Sequence, residues 1–248
     1  MNSYTYDLHI HSCLSPCADD DMTPANIAGM ASLQGLTLLA LTDHNTSKNC
    51  PAFFAHCKRY GIVPVAGMEL TTAEDIHVIC LFETLEAAMQ FDLAVSEKRI
   101  RIPNRADIFG HQYIMDEDDA VVGEEGDLLI NATELGLDEA YALVTSLGGV
   151  CYPAHVDRDS GGMIAVLGDL PPTPEYSAFE LNDKGSYGDY VSRFPALSAK
   201  RYVVSSDAHN LWSISEGGNT VELEDEEPGR GYSSAYVRRS LIKYLRGD

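Results

Sequence analysis

The 248-residue chain carries 17 basic and 38 acidic side chains, a net charge of −21, and 45% of its residues are hydrophobic. This is ample for one barrel-sized globular domain spanning residues 1–248. No run of about 18 apolar residues exists, which excludes a helical membrane span. The acidic balance argues against duplex DNA as a partner, because a long phosphate backbone needs a basic stripe.

In chain order, Tyr6 to Ile10 reads as a strand, and the Pro24–Leu33 stretch as a helix with Thr23 as N-cap and Pro24 in the first turn. Leu36 to Thr42 reads as a buried strand, Pro51 to Tyr60 as a short helix, and Ile62 to Ala66 and Ile76 to Phe82 as further strands. This βαβα rhythm predicts a parallel sheet with helices outside it. Residues 83–132 break the rhythm, with a helix at Leu85 to Ile100 and a hairpin from Gln112–Met115 to Ala120–Val122, and they are read as an insertion within the domain. The helix Leu137 to Leu147, closed by Gly148, resumes the pattern. Strands follow at Gly149–Ala154, Ala178–Leu181 and Tyr202–Ser205, then an acidic loop from Glu222 to Gly231 and a last helix from Ser234 to Arg246.

Two short basic clusters stand out, Lys98–Arg99–Arg101–Arg105 and Arg238–Arg239–Lys243–Arg246, the second at the spacing of a solvated helix face. The six cysteines form no CxxC pair, so neither a zinc ribbon nor a disulfide framework is expected. Cys80 and Cys151 read as buried packing residues. Residues 1–7 lack the basic end and apolar run of a secretion signal, and the expected location is cytoplasmic, without a membrane.

The chemistry-bearing residues recur at the ends of strands. His9 and His11 stand two apart, which places them on one face; His44, Glu69, His77, His155, Asp207 and His209 lie at or beside later strands. In a barrel of parallel strands such ends converge. Imidazoles mixed with carboxylates suit Zn²⁺, Mn²⁺ or Fe²⁺. Any one of these histidines alone is more often a hydrogen-bonded core or surface residue; their joint placement favours ligation.

The segments Asp7-Leu8-His9-Ile10-His11-Ser12, Leu41-Thr42-Asp43-His44-Asn45, Gly67-Met68-Glu69, Pro153-Ala154-His155 and Ser206-Asp207-Ala208-His209 resemble the ordered motifs of the polymerase and histidinol phosphatase (PHP) family, over residues 6 to about 210. The resemblance implies an α/β fold, a distorted (β/α)7 TIM-like barrel, with two to three divalent ions (Zn, Mn or Fe, with Mg as a further candidate). It assigns His9, His11, Glu69 and Asp207 to one ion. A second takes His44, His209 and a ligand from the 13–22 loop. A third takes His77 and His155, with Glu69 as a bridge. Asp19 is the favoured loop ligand, with Asp20, Asp21 and Cys17 left open. Asp207 and His209 are assigned the catalytic step, with a hydroxide between the ions as nucleophile. Arg158 resembles a phosphate-binding arginine of the family; a surface ion pair with Asp157 or Asp159 is its alternative. His111 is a candidate to face substrate, Asp43 to orient a ligand, and His56 to lie on the surface.

These readings point to a hydrolase of small phosphomonoesters, such as nucleotides or bisphosphates, or of short single-stranded nucleic acid ends, with no duplex DNA partner. Histidinol-phosphatase-like activity and a metal-binding interaction or stability module without turnover are the alternatives. An amide hydrolase is disfavoured, since no lysine at a strand end offers itself for carbamylation. A phosphate-binding G-x-x-x-x-G-K-[ST] loop is absent.

Overall fold

A computed structural model of the chain describes residues 1–227 and 229–248. Strand β1 (Asn2–Asp7) leads through a long loop to helix α1 (Pro24–Leu33), which Thr23 caps by accepting the Asn26 amide at 3.2 Å. Strand β2 (Leu38–Leu41), helix α2 (Cys50–Arg59), strand β3 (Val63–Thr71) and strand β4 (His77–Phe82) follow. Next come helix α3 (Leu85–Lys98), the short α4 (Ala106–Phe109) and a hairpin of β5 (Tyr113–Met115) and β6 (Val121–Glu124). Helix α5 (Leu137–Ser146), β7 (Val150–Pro153), α6 (Met163–Leu167), β8 (Ala178–Leu181), α7 (Tyr187–Arg193) and β9 (Arg201–Val204) continue the chain. It closes with β10 (Thr220–Leu223), the small β11 (Glu226–Glu227) and β12 (Gly231–Tyr232) pair, and helix α8 (Ser234–Arg246).

Six strands form one curled sheet in the order β10-β1-β2-β3-β4-β7, and β8 and β9 form a parallel pair. Backbone contacts past the strand ends join the two. The Val156 amide donates to the Glu180 carbonyl at 2.9 Å, and the His11 amide to the Ala208 carbonyl at 3.0 Å. A distorted TIM-like α/β barrel results, as the resemblance implied.

Alternate residues of β2, β3, β4 and β7 serve two cores, which explains why these strands are nearly continuous apolar runs. Leu39, Leu41, Met68 and Cys80 pack outward with Phe53, Phe91 and Val144 of the surrounding helices. Leu38, Ala40, Val65, Ile79 and Tyr152 pack together with Val237, Leu241 and Leu245 of α8. The latter three recur at i, i+4 and i+8, one stripe of a helix.

Several expectations need correction. The sheet is not all parallel: β4 runs antiparallel to both β3 and β7. A tight turn, in which the Thr72 amide donates to the Ile76 carbonyl at 2.9 Å and Asp75 takes φ 61°, joins β3 directly to β4 with no helix between them. The 222–231 segment is not wholly loop. Val221 and Leu223 alternate with exposed Thr220 and Glu222, and β10 pairs antiparallel with β1; the acidic composition masked the alternation. Pro228 of that segment lies outside the described residues. His56 is buried at 3% exposure, because α2 turns Phe53, His56 and Cys57 inward together. The basic side of α8 is not simply solvated: the Arg238 Nε donates to the Glu83 carbonyl at 2.7 Å and the Arg246 Nε to that of Gly149 at 3.0 Å.

Candidate metal centre

Ile10 and Ala208 form a parallel bridge, as do His44 and Glu69, so the segments just beyond β1, β2 and β9 and the end of β3 meet at one end of the barrel. His155 follows β7 there. His77 arrives differently. It is the first residue of β4, opposite Thr71, and reaches this end because β4 is reversed. Gly161 lies so close over it that a Cβ would stand 3.0 Å from the His77 ring, and the Gly161 carbonyl accepts the His77 amide at 2.8 Å. Three non-glycine residues here take left-handed φ: Asn45 at 51°, His155 at 25° and Asp207 at 51°. Such conformations cost about 1–3 kcal/mol each and persist where the surroundings over-determine them.

Glu69, 1% exposed, is the hub. Its Oε1 lies 2.8 Å from His77 Nδ1 and 3.0 Å from His155 Nε2. Its Oε2 lies 3.0 Å from His44 Nδ1, 3.2 Å from His11 Nε2 and 3.4 Å from His9 Nε2. Asp207 Oδ1 stands 3.1 Å from His9 Nε2 and 3.0 Å from His11 Nε2. Among the described residues, three groups converge closely enough to hold an ion each: His9, His11, Glu69 and Asp207; Glu69, His77 and His155; and His11, His44 and His209.

The proton inventory fits a cation. The Glu180 carboxylate accepts from His9 Nδ1 at 2.8 Å. The Ser15 hydroxyl donates to Asp43 Oδ1 at 2.8 Å and therefore accepts from His11 Nδ1 at 3.0 Å. In their neutral forms both rings thus carry the proton on Nδ1, and their Nε2 lone pairs face each other across 3.1 Å, beside two carboxylates. Lone pairs at that separation repel unless a cation or an added proton lies between them. His44 Nδ1, Glu69 Oε2 and Asp207 Oδ1 are also buried, and although each has a ring nitrogen or carboxylate oxygen within 3.0–3.1 Å, none makes a well-aligned hydrogen bond. Buried polar atoms are rarely left so, and an ion held there would satisfy all three.

The electrostatics carry the same message. Burial opposes charge on His9 and His11, yet Asp207 and Glu69, with Glu180 beside His9, outweigh it; His9 is held well above the ordinary imidazole range and His11 is pushed up to about 9. Burial holds His44 well below that range, and burial with the His11 charge lowers His209 to about 4. Burial resists ionisation of Glu69, but the surrounding histidines, His77 and His9 foremost, hold it well below the usual carboxylate range.

Asp19 belongs to none of the three groups. It is exposed, and its backbone amide donates to the His209 carbonyl at 2.9 Å, which lays the 13–22 loop against the third group. Cys17 is exposed, and Cys13 is buried against Ala52 and Met115. Arg158, its side chain 44% exposed, pairs at 2.6 Å with Asp207 Oδ2 rather than with Asp157, which instead accepts the Asn182 and Asp183 amides. With the Asn182 amide turned to satisfy both groups, its oxygen accepts from Arg158 Nε at 2.8 Å and Nη2 at 2.7 Å. His111 lies two residues before β5, 3.0 Å from Glu124 at the end of β6. Asp43 takes the Ser12 amide and hydroxyl, each at 2.7 Å, and reaches His11 through Ser15.

Sequence reasoning passed over Glu180 and Ser15. Glu180 is fully buried on β8 and also accepts the His155 amide at 3.2 Å, thereby orienting two of the histidines. A glutamate within the apolar run Ala178–Leu181 was the available signal.

Fold and site together define a barrel whose strand ends converge on a histidine–carboxylate centre able to bind several ions. The chain belongs to the PHP domain family, whose sequence profile matches residues 7–161. It is 32% identical over 102 residues to a 5'-3' exoribonuclease of Haemophilus influenzae, a match covering 38% of this chain and 36% of that protein. The chain therefore spans little more than a third of that curated relative. Among solved structures it resembles the lesion-specific endonuclease PfuEndoQ of Pyrococcus furiosus, with a TM-score of 0.64 and 19% identity over 99% of this chain and 56% of the other. It also resembles endonuclease Q in complex with a 27-mer duplex substrate bearing an abasic lesion, with a TM-score of 0.57 and 17% identity over 99% and 57%. At these identities the structural likeness is one of fold. No helix among the described residues is long and apolar enough to cross a membrane.

Proposed function

We propose that this protein is a metal-dependent phosphoesterase that hydrolyses small phosphomonoesters, nucleotides or bisphosphates, or the ends of short single-stranded nucleic acids. The observation that carries this reading is the convergence of Glu69 and seven further side chains into three overlapping groups, five of the seven being imidazoles against Glu69 itself, with lone pairs and carboxylates facing one another at 2.8–3.4 Å. His9, His11, Glu69 and Asp207 hold one ion and Glu69, His77 and His155 a second. His44 and His209 hold another with His11, or with Asp19 from the adjoining loop. Two or three divalent ions of the Zn, Mn or Fe type match such donors, with Mg the least suited to so many imidazoles. When bound, the ions supply an activated water and neutralise the oxygens of the reacting phosphoryl group.

The chain's own side chains do the rest. Glu180 and Ser15 keep the Nδ1 protons of His9 and His11 in place, so that each Nε2 stays available to the centre. Asp207 and His209 border the reacting phosphate. Arg158, poised between Asp207 and Asn182, offers its planar fork to phosphate oxygens. The exoribonuclease likeness supports nucleic acid or its fragments among the substrates. The acidic net charge does not exclude duplex DNA, because the same fold occurs in a protein bound to a duplex; bound cations also offset local acidity.

The test is hydrolysis of an aryl phosphate, mononucleotides, nucleoside bisphosphates and short oligonucleotides by the purified protein, with elemental analysis alongside. Turnover abolished by chelation and restored by Mn²⁺ or Zn²⁺, with two to three ions per chain, is expected. Full metal loading with no turnover of any phosphoester would instead favour a binding module.

A further inference from the structure

The segment 98–115 is one of two basic stretches in this acidic chain, the other being α8. It carries Lys98, Arg99, Arg101 and Arg105 against one acid, Asp107. The Arg101 and Arg105 side chains are 62% and 63% exposed, held at 2.7 Å by Asp127 and Asp107. Ion pairs this exposed are weak and readily exchange a carboxylate for a phosphate. Farther along, the rings of His111 and Tyr113 stack in parallel, with centroids 4.7 Å apart and planes within 9°. The His111 side chain is 43% exposed, and Phe109, 40% exposed, stands two residues earlier.

This surface adjoins the metal centre. The Tyr113 amide donates to the Cys13 carbonyl at 2.9 Å, two residues past His11. Gly110, at φ 92°, lies so close that a Cβ would stand 2.6 Å from the Pro16 carbonyl oxygen. The same loop then meets the His209 carbonyl through the Asp19 amide. One loop thus has the stacked rings on one side and a candidate ligand on the other.

We propose that this segment is a rim for single-stranded nucleic acid, with the His111–Tyr113 pair stacking a base and Arg101 and Arg105 meeting backbone phosphates. The inference rests on the phosphoesterase reading and names its substrate class. Flat aromatic platforms beside basic side chains bind single strands without reading their sequence. Glu124, beside His111, opposes phosphate and favours the uncharged base at that position.

The test is binding of a short phosphorothioate-linked oligothymidylate, and of the same strand with abasic sugars, to metal-loaded protein by fluorescence anisotropy. Native protein should prefer the base-bearing strand about tenfold, and His111→Ala/Tyr113→Ala should abolish that preference. His111→Ala alone carries the test if the double variant does not fold. Arg101→Ala/Arg105→Ala should flatten the salt dependence of binding by about 0.7 in log–log slope per arginine. Equal losses for base-bearing and abasic strands, or none, would overturn the rim. Base-coupled binding without hydrolysis of any phosphoester would leave the rim standing and sink the phosphoesterase reading; hydrolysis without base coupling would do the reverse.

Discussion

Glu69 and Glu124 both face histidines across about 3 Å, and their surroundings make them different groups. Glu69 is 1% exposed and meets five imidazoles at 2.8–3.4 Å, whereas Glu124, 42% exposed, meets His111 alone among histidines at 3.0 Å. Water screens the second pair, so it is easily traded for another partner. Nothing screens the first, and burial makes every uncompensated charge there costly. The buried centre therefore demands cations, while the rim tolerates exchange. Alteration of the centre should cost metal and activity together, and alteration of the rim should cost substrate affinity alone.

The largest effect is expected at the hub. Glu69→Gln keeps the volume but removes the shared charge. More than one ion per chain should be lost by elemental analysis, and kcat/KM should fall about a thousandfold, the equivalent of about 4 kcal/mol. Retention of the full metal complement would show that the histidines suffice and that Glu69 does not bridge.

Glu180→Ala tests whether the centre extends to a side chain that is not itself a proposed ligand. His9 Nδ1 and the His155 amide lose their acceptor, and metal affinity should fall about 10–100-fold in calorimetric titration. Unchanged affinity would mean that packing alone orients His9.

Arg158 is half-exposed like the rim arginines yet bonded to Asp207 of the centre. Arg158→Ala should raise KM for a phosphomonoester about tenfold, the loss of one charge-assisted contact of about 1.4 kcal/mol, with metal content unchanged. Loss of metal in this variant would place Arg158 with the centre rather than with substrate recognition.

The smallest effect is one of pH on chelator-treated protein. His11 is raised in the folded state to about 9 against an unfolded value of about 6.5. Its contribution to stability is therefore complete below about pH 6.5 and is lost as pH rises through about 9. The melting temperature should fall across that window, by about 2–4 °C for each kcal/mol lost. With Zn²⁺ bound the trend should reverse below pH 7, because ligation needs neutral imidazoles. Flat melting from pH 6 to 10 without metal would show that the buried centre does not couple its charges as described.

Much of the barrel was legible in residue order. Thr23-Pro24 announces α1, the β-strand at Ala178–Leu181 and the helix at Ser234–Arg246 fall where expected, and the hairpin at 113–124 appears within two residues. Local chemistry decides such features: caps, fixed φ angles and apolar periodicity act over a few residues. The sequence alone also marked the candidate donors, because histidine and carboxylate pairs beside apolar runs are visible without coordinates. Direction and partnership were not. In an all-parallel sheet His77, at the start of its strand, would stand at the far end of the barrel from Glu69; the turn at 72–76 reverses β4 and brings the two to 2.8 Å. Pairing of His9 with Glu180, 171 positions away, and of Arg158 with Asp207 likewise exists only after the ring closes. Strand direction and long-range contact depend on how the whole chain returns upon itself, and only the tertiary structure decides them.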